Sequence, residues 1–415
     1  MDARLLSQPS VPCIAKIKEH QGLIVKSKKF YYLNPSVIVR YEPSGAAILP
    51  SKFHLSPIFV DKDLSLLIKR KKFLIDNLSK ETVENLIKNE IIIEKNVREK
   101  KCREIFVETD NLPIHAFLDV TARCNCDCVT CYHKEDLDGY EPPLKDVLRR
   151  IDRIKKLGIG LVEITGGEAL LRNDIYSILE KTIDLGMHFY IVTNGEYLKE
   201  MDKETIYAIK NSLGVVVVSL DGVGKAHDRD RRRPGLYNNV IEGLDFVKEN
   251  QIKPYIVSTI HRDNIDCIPQ IIAVAQKYKT VVQFRPAVNT GAAKKNNLKS
   301  FNPREIISYL NNKNVLNKFL STRKEIPPSR YYGCNTLKRI SVDAHGYIFP
   351  CPMDRSKKIG NIEKYNQKKL SEDLLAEIKK MLSMHDNCKS CGINNNGIKC
   401  GGFCRFSKSY KKSLI

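Results

Sequence analysis

The chain has 415 residues, enough for two or three domains and a sizeable core. Its 69 Lys and Arg outweigh 48 Asp and Glu, giving a formal net charge of +21, and a hydrophobic content of 42% marks a globular rather than a disordered chain. No apolar run approaches the ~20 residues that cross a bilayer, and the start lacks the basic and apolar stretches of a secretory signal, so the sequence points to a cytoplasmic protein with no membrane partner.

Residues 1–105 alternate short β-rich runs (22–25, 30–33, 37–41) with two helical patterns, 64–76 and 80–88, and close on a strand at 91–94. Ser79 stands where it caps the second helix. This order points to a small winged-helix-like module. It is poor in catalytic residue types and reads as an attachment that binds a peptide or a nucleic acid.

Residues 106–295 alternate apolar strands with helices through about six βα repeats. Strands end at Val120, Thr165, Val192, Leu220, Ile260 and Phe284. Such repeats imply parallel strands joined by right-handed crossovers, an α/β fold with its chemistry at the C-terminal strand ends. Residues 296–333 form a basic, Asn- and Lys-rich linker. Residues 334–415 are loop-rich, a segment expected to bury little core and to need metal crosslinks.

The 13 cysteines are the largest anomaly. Reduced thiols at short spacing are more often metal ligands than disulfides. Cys124, Cys128 and Cys131 form C-x3-C-x2-C directly after the first strand, with Cys126 as an extra thiol. Three thiolates on one tight loop can hold three irons of a 4Fe–4S cluster and leave the fourth open to a small molecule; a zinc knuckle is the alternative. Gly166-Gly167-Glu168 ends the second strand, Thr193-Asn194-Gly195 the third and Ser219-Leu220-Asp221-Gly222 the fourth, followed by His227 and Arg231. Glycines allow close backbone approach, and a carboxylate and an arginine can grip an ammonium and a carboxylate. Near the end, Cys334, Gly346 and Cys351 precede Cys388, Cys391, Cys400 and Cys404.

These motifs together resemble the radical S-adenosylmethionine superfamily, whose C-x3-C-x-aromatic-C motif follows the first strand of a partial (β/α)6 barrel. Thr130 stands where that family has an aromatic residue, Cys126 is a bystander by the family spacing, and Arg232 occupies a position usually held by Gly. The resemblance implies that Cys124, Cys128 and Cys131 hold the core 4Fe–4S cluster. It also implies that Gly166, Gly167, Glu168, Asn194, Ser219 and Arg231 bind S-adenosylmethionine, with Arg285-Pro286 beside the adenine. The C-terminal cysteines resemble the SPASM domain, with a middle spacer of eight residues instead of five. They imply one or two auxiliary iron–sulfur clusters on Cys334, Cys351, Cys388, Cys391, Cys400 and Cys404, with structural zinc as the alternative.

The chemistry so implied is electron transfer to the sulfonium, giving a 5′-deoxyadenosyl radical that abstracts hydrogen from a substrate. SPASM-containing relatives that modify ribosomally made precursor peptides carry an N-terminal recognition element of similar length. The expected partners are therefore a precursor peptide and an electron donor such as flavodoxin or ferredoxin. The leader would add as a strand to an edge at 30–33 or 37–41, and Lys26 to Lys29 and Lys69 to Lys72 would favour an acidic leader. A thioether and a carbon–carbon crosslink are both open as products. Two alternatives stand beside this reading. One is a sulfatase-type maturase that oxidises Cys or Ser. The other is a zinc-containing nucleic-acid-binding protein, which lacks support from basic–aromatic interleaving. The sequence ranks no residue as a catalytic base.

Overall fold

A computed structural model describes residues 14–15, 30–49, 57–74, 78–94, 103–212, 214–299, 309 and 339–383. The 22–25 strand, the Lys26 to Lys29 cluster and Cys334, Cys388, Cys391, Cys400 and Cys404 lie outside these residues.

The N-terminal module contains β1 (Ile14–Ala15), β2 (Phe30–Leu33), β3 (Ile38–Glu42), β4 (Gly45–Leu49), β5 (Ile58–Asp61), α1 (Lys62–Lys69), β6 (Lys72–Leu74), α2 (Lys80–Lys88), β7 (Ile92–Ile93) and β8 (Arg103–Phe106). One sheet has the order β1-β5-β4-β3-β8 and the other β6-β2-β7. Asp61 caps α1 by accepting from the Leu64 amide at 2.8 Å, and Ser79 caps α2 through the Thr82 amide at 3.1 Å. The helix expected over 64–76 stops at Lys69. Four consecutive cations, Lys69 to Lys72, disfavour another helical turn, Lys71 adopts a left-handed φ of 62°, and Lys72–Leu74 instead pairs with β2. The two edges expected for a leader strand are both interior: β2 lies between β6 and β7, and β3 between β4 and β8. The sequence gives no view of pairing order, which long-range partners decide.

The core strands are β9 (His115–Thr121), β10 (Leu161–Gly166), β11 (His188–Thr193), β12 (Gly214–Ser219), β13 (Pro254–Ile260) and β14 (Val282–Pro286). All five neighbouring pairs are parallel and in chain order, so this is the partial (β/α)6 barrel. The intervening helices are α3 (Leu144–Lys156), α4 (Ile175–Asp184), α5 (Lys203–Lys210), α6 (Lys225–Arg231), α7 (Leu236–Glu249) and α8 (Ile268–Lys277), with α9 (Gly291–Lys295) after β14. One strand face carries Leu118, Ile164, Ile191 and Val218 into a cluster shared with helical Ile151, Ile178 and Val240. This is the period-2 face expected under covering helices.

The segment after the linker buries more than expected. β15 (Arg339–Val342) pairs parallel with β9 and extends the sheet, followed by β16 (Tyr347–Phe349), β17 (Gly360–Asn361) and α10 (Gln367–Ser383). Ile340, Val342, Ile348, Ile362, Leu370 and Leu374 join the same cluster as Leu118. Alternation of Ile340 and Val342 with Arg339 and Ser341 supplies the strand signal.

The module is no loose attachment. Ile38, Leu49 and Ile105 share a buried cluster with Leu161, Tyr190, Val217 and Tyr255, on the strand face opposite the helices. Arg40 is fully buried and donates to Pro113 O at 2.6 Å and Leu112 O at 3.1 Å while pairing with Glu42. His188, at the start of β11, is buried beside the Ser36 backbone, and burial drives its pKa to about 3, keeping the ring neutral. Arg40→Ala leaves Glu42 and two buried carbonyls without their cation. The variant is expected to lose about 3–5 kcal/mol of unfolding free energy, read by urea denaturation; a loss below about 1 kcal/mol would contradict this joint.

Candidate functional site

The site sits where β9 and β10 end. The amide of Gly167 donates to Thr121 O at 2.9 Å and that of Glu168 to Arg123 O at 2.8 Å, so the Gly166-Gly167-Glu168 turn lies flat against the chain entering the cysteine loop. A Cβ on Gly166 (φ 127°) would come 2.2 Å from Thr121 O. One on Gly167 would come 2.0 Å from Arg123 O and 3.0 Å from Cys124 Cβ. Neither distance is possible for a side chain, which is why two glycines stand there.

The loop is tied down along its length. The Val129 amide donates to Asp230 O at 2.8 Å, and the Ala292 amide to Cys131 O at 2.8 Å. Asn194 Nδ2 donates to Asn125 Oδ1 at 2.7 Å and lies 3.4 Å from Cys126 Sγ. Asn125 in turn bonds Glu196, which pairs with Arg233 at 2.7 Å. Asn125, Glu196 and Arg233 carried no sequence signal, because their roles exist only once the third strand's turn is beside the loop.

Cys124, Cys128 and Cys131 are part-exposed, whereas Cys126 is buried. Cys126 hydrogen-bonds both Cys124 and Cys128 and thereby lowers the pKa of each; Cys128 falls to about 7, helped by Arg231, whose Nη1 is 3.7 Å from its sulfur. Burial pushes Cys131 up to about 12. Among the described residues, no three His, Cys, Asp or Glu side chains converge as a single metal ion requires. The donor set fits an anionic, thiolate-bound cluster: a cation stands against a thiol, and its buried Nε has no hydrogen-bond partner among the described residues.

Glu168 is 1% exposed, and its carboxylate accepts from the Asn194 amide at 2.6 Å and the Leu170 amide at 3.0 Å. Burial raises its pKa against those bonds, so a nearby ammonium would be welcome. Arg231 Nη2 pairs with Asp221 at 2.7 Å, and Asp221 also accepts from the Thr259 amide at 2.7 Å. Ser219 ends β12 half-buried. Arg285 bonds Gln283 at 2.9 Å on β14. The structure therefore brings Cys124, Cys128, Asn194, Glu168 and Arg231 around one loop. Cys351 is described and part-exposed; its expected companion ligands are not among the described residues.

A match to the radical SAM superfamily covers residues 118–274. That segment is a radical SAM domain. The radical SAM family uses S-adenosylmethionine and a 4Fe–4S cluster, the pair its cysteine loop and glycine turn anticipate. Fe-coproporphyrin III synthase of Methanosarcina barkeri is 30% identical over 164 residues, 39% of this chain and 40% of that protein. The chain spans about half the length of the curated relatives it matches. The fold of Streptococcus suis SuiB, solved bound to precursor peptide SuiA, is shared over 92% of this chain and 97% of that one, at TM-score 0.64 and 17% identity. anSMEcpe, solved with AdoMet and the Cp18Cys peptide, matches over 72% of this chain and 91% of its own, at TM-score 0.53 and 18% identity.

The radical SAM core also explains Arg232. It ends α6 with φ 49°, the left-handed region where glycine is favoured, and its side chain pairs with Asp127 and Asn296 at 3.1 Å each. Those ties, one to the cysteine loop and one to the end of α9, offset a backbone cost of about 1–2 kcal/mol. Arg232→Ala keeps the strain and loses the ties, whereas Arg232→Gly relieves the strain. The Ala variant should unfold about 1 kcal/mol more easily than the Gly variant in urea; the reverse order would overturn this account.

Proposed function

We propose that this chain is a cytoplasmic radical S-adenosylmethionine enzyme that oxidatively modifies a ribosomally synthesised precursor peptide, forming a thioether or carbon–carbon crosslink. The observation that carries this reading is the N-terminal module built into the barrel, in a fold shared almost end to end with a protein solved on its precursor peptide. Thiols stay reduced in the cytosol, and among the described residues no helix is long and apolar enough to cross a membrane.

Cys124, Cys128 and Cys131 would hold the core cluster, which when bound supplies one electron to the sulfonium, drawn from a flavodoxin- or ferredoxin-type donor. Glu168 and the Gly166–Gly167 backbone would take the methionyl ammonium. Arg231, held by Asp221, would offer its free Nε to the methionyl carboxylate, and Asn194 would fix both Glu168 and the loop. Cys334, Cys351, Cys388, Cys391, Cys400 and Cys404 would hold one or two auxiliary clusters.

The leader would add to an edge strand of the sheet β6-β2-β7, as the described residues order it, instead of β2 or β3. β6 offers Lys72, which sits 4.3 Å over the Phe30 ring, with Lys71 just before it and exposed Leu74 at its end. This edge suits an acidic leader with an apolar anchor. A sulfatase-type maturase leaves the module without a use, and the fold shared with anSMEcpe covers less of this chain.

Cys128→Ala should abolish 5′-deoxyadenosine formation from S-adenosylmethionine in the anaerobically reconstituted, dithionite-reduced protein. The wild type should carry roughly eight to twelve Fe per chain and the variant about four fewer. Retained turnover in the variant would refute the assignment.

A further inference from the structure

Beside the tip of β9 lies a cavity of about 180 Å³ whose charge opposes that of the chain. Asp119, Glu135, Asp136, Asp138 and Asp343 line it, the Gly166–Gly167 backbone forms one wall, and among the described residues Lys358 is the one Lys or Arg on its lining. Glu135 and Asp138 have partners near the rim, in Lys295 at 3.4 Å and His345 at 2.9 Å.

The deeper carboxylates are short of donors. Asp119 is 3% exposed; its Oδ2 takes Arg355 at 2.9 Å and His133 at 3.4 Å, but among the described residues its buried Oδ1 has no hydrogen-bond partner. Nor, among them, has Asp136 Oδ2, which lies 3.5 Å from Arg355 Nε. Burial pushes Asp136 and Asp343 above the usual carboxylate range. Unpaired buried acceptors in an acidic cavity call for a guest that carries both N–H donors and positive charge.

The candidate nucleotide-site groups are engaged elsewhere. Glu168 accepts from the Asn194 amide just after β11, and Arg231 pairs with Asp221 after β12. The cavity lies between β9 and the β15–β16 turn that holds Asp343, and of the candidate nucleotide-site residues only Gly166 and Gly167 line it. We propose that this cavity is a specificity subsite for a lysine or arginine side chain of the substrate, held by Asp119 and Asp136 next to the nucleotide. The inference rests on the peptide-modifying reading above and names the substrate residue which that reading leaves open.

Calorimetric titration of the full-length protein with Nα-acetyl-lysinamide and Nα-acetyl-norleucinamide tests it. The lysine probe should bind at least about tenfold more tightly than its uncharged counterpart, and Asp119→Asn and half-buried Asp136→Asn should each weaken it about tenfold. S-adenosylmethionine affinity should stay within about twofold in both variants. Equal binding of the two probes, no binding of the lysine probe, or indifference to both substitutions would overturn the subsite. So would competition between the lysine probe and S-adenosylmethionine, which would make the cavity the nucleotide's own ammonium site. Loss of 5′-deoxyadenosine formation in wild type, with charge-selective lysine binding intact, would instead sink the enzymatic reading and leave the subsite standing.

Discussion

The candidate site at the strand ends is arranged around a contact between two stretches of backbone. The turn Gly166-Gly167-Glu168 donates its amides to the carbonyls of Thr121 and Arg123, at a separation that leaves no room for a Cβ. That contact fixes where Cys124 starts its loop, and it presents Glu168 to the Asn194 amide just after the next strand. The candidate cysteine and nucleotide-site residues follow four strands, β9 to β12, and these hydrogen bonds set the cysteine loop against the Glu168 turn. Precision of this sort is what a site needs when the bound cofactors carry the hard chemistry and the protein only positions them.

The same economy joins the outer segments to the barrel. Arg40 reaches from the N-terminal module to carbonyls at the foot of β9, and Arg355 reaches from the C-terminal segment to Asp119 at its tip. One strand is thus gripped at both ends by buried guanidinium groups from opposite ends of the chain. Buried Arg–carboxylate pairs contribute little net stability, but breaking one is costly, so they hold geometry more than they add energy. The module is thereby joined to the foot of the strand that carries the cysteine loop.

Much of this was legible in the residues. The alternation of apolar strands with helices announced a parallel sheet, and the spacing of Cys124, Cys128 and Cys131 with the glycine turn pointed to the radical SAM family. Local signals of this kind survive folding because they are set by nearest neighbours. What failed was non-local. Residues 72–74 read as helix because their apolar positions continue the α1 pattern, but pairing with β2 won. The leader edges were misplaced because strand order depends on contacts far apart in sequence. Residues 339–374 read as too loop-rich for a core because β15 gains its burial from β9, more than two hundred residues earlier. The Asp119–His133–Arg355 cluster was half visible, since Asp119 and His133 flank the cysteine motif, but Arg355 joins them only through the fold.

The glycine contact can be tested by itself. Gly167→Ala places a methyl group where the Arg123 carbonyl and Cys124 must be, while far-ultraviolet circular dichroism reports whether the barrel persists. With the barrel intact, anaerobic reconstitution should yield about four fewer Fe per chain than wild type, and the reduced-cluster electron paramagnetic resonance signal that responds to S-adenosylmethionine should vanish. A variant with wild-type iron content and an unchanged nucleotide-responsive signal would show that the contact does not position the loop.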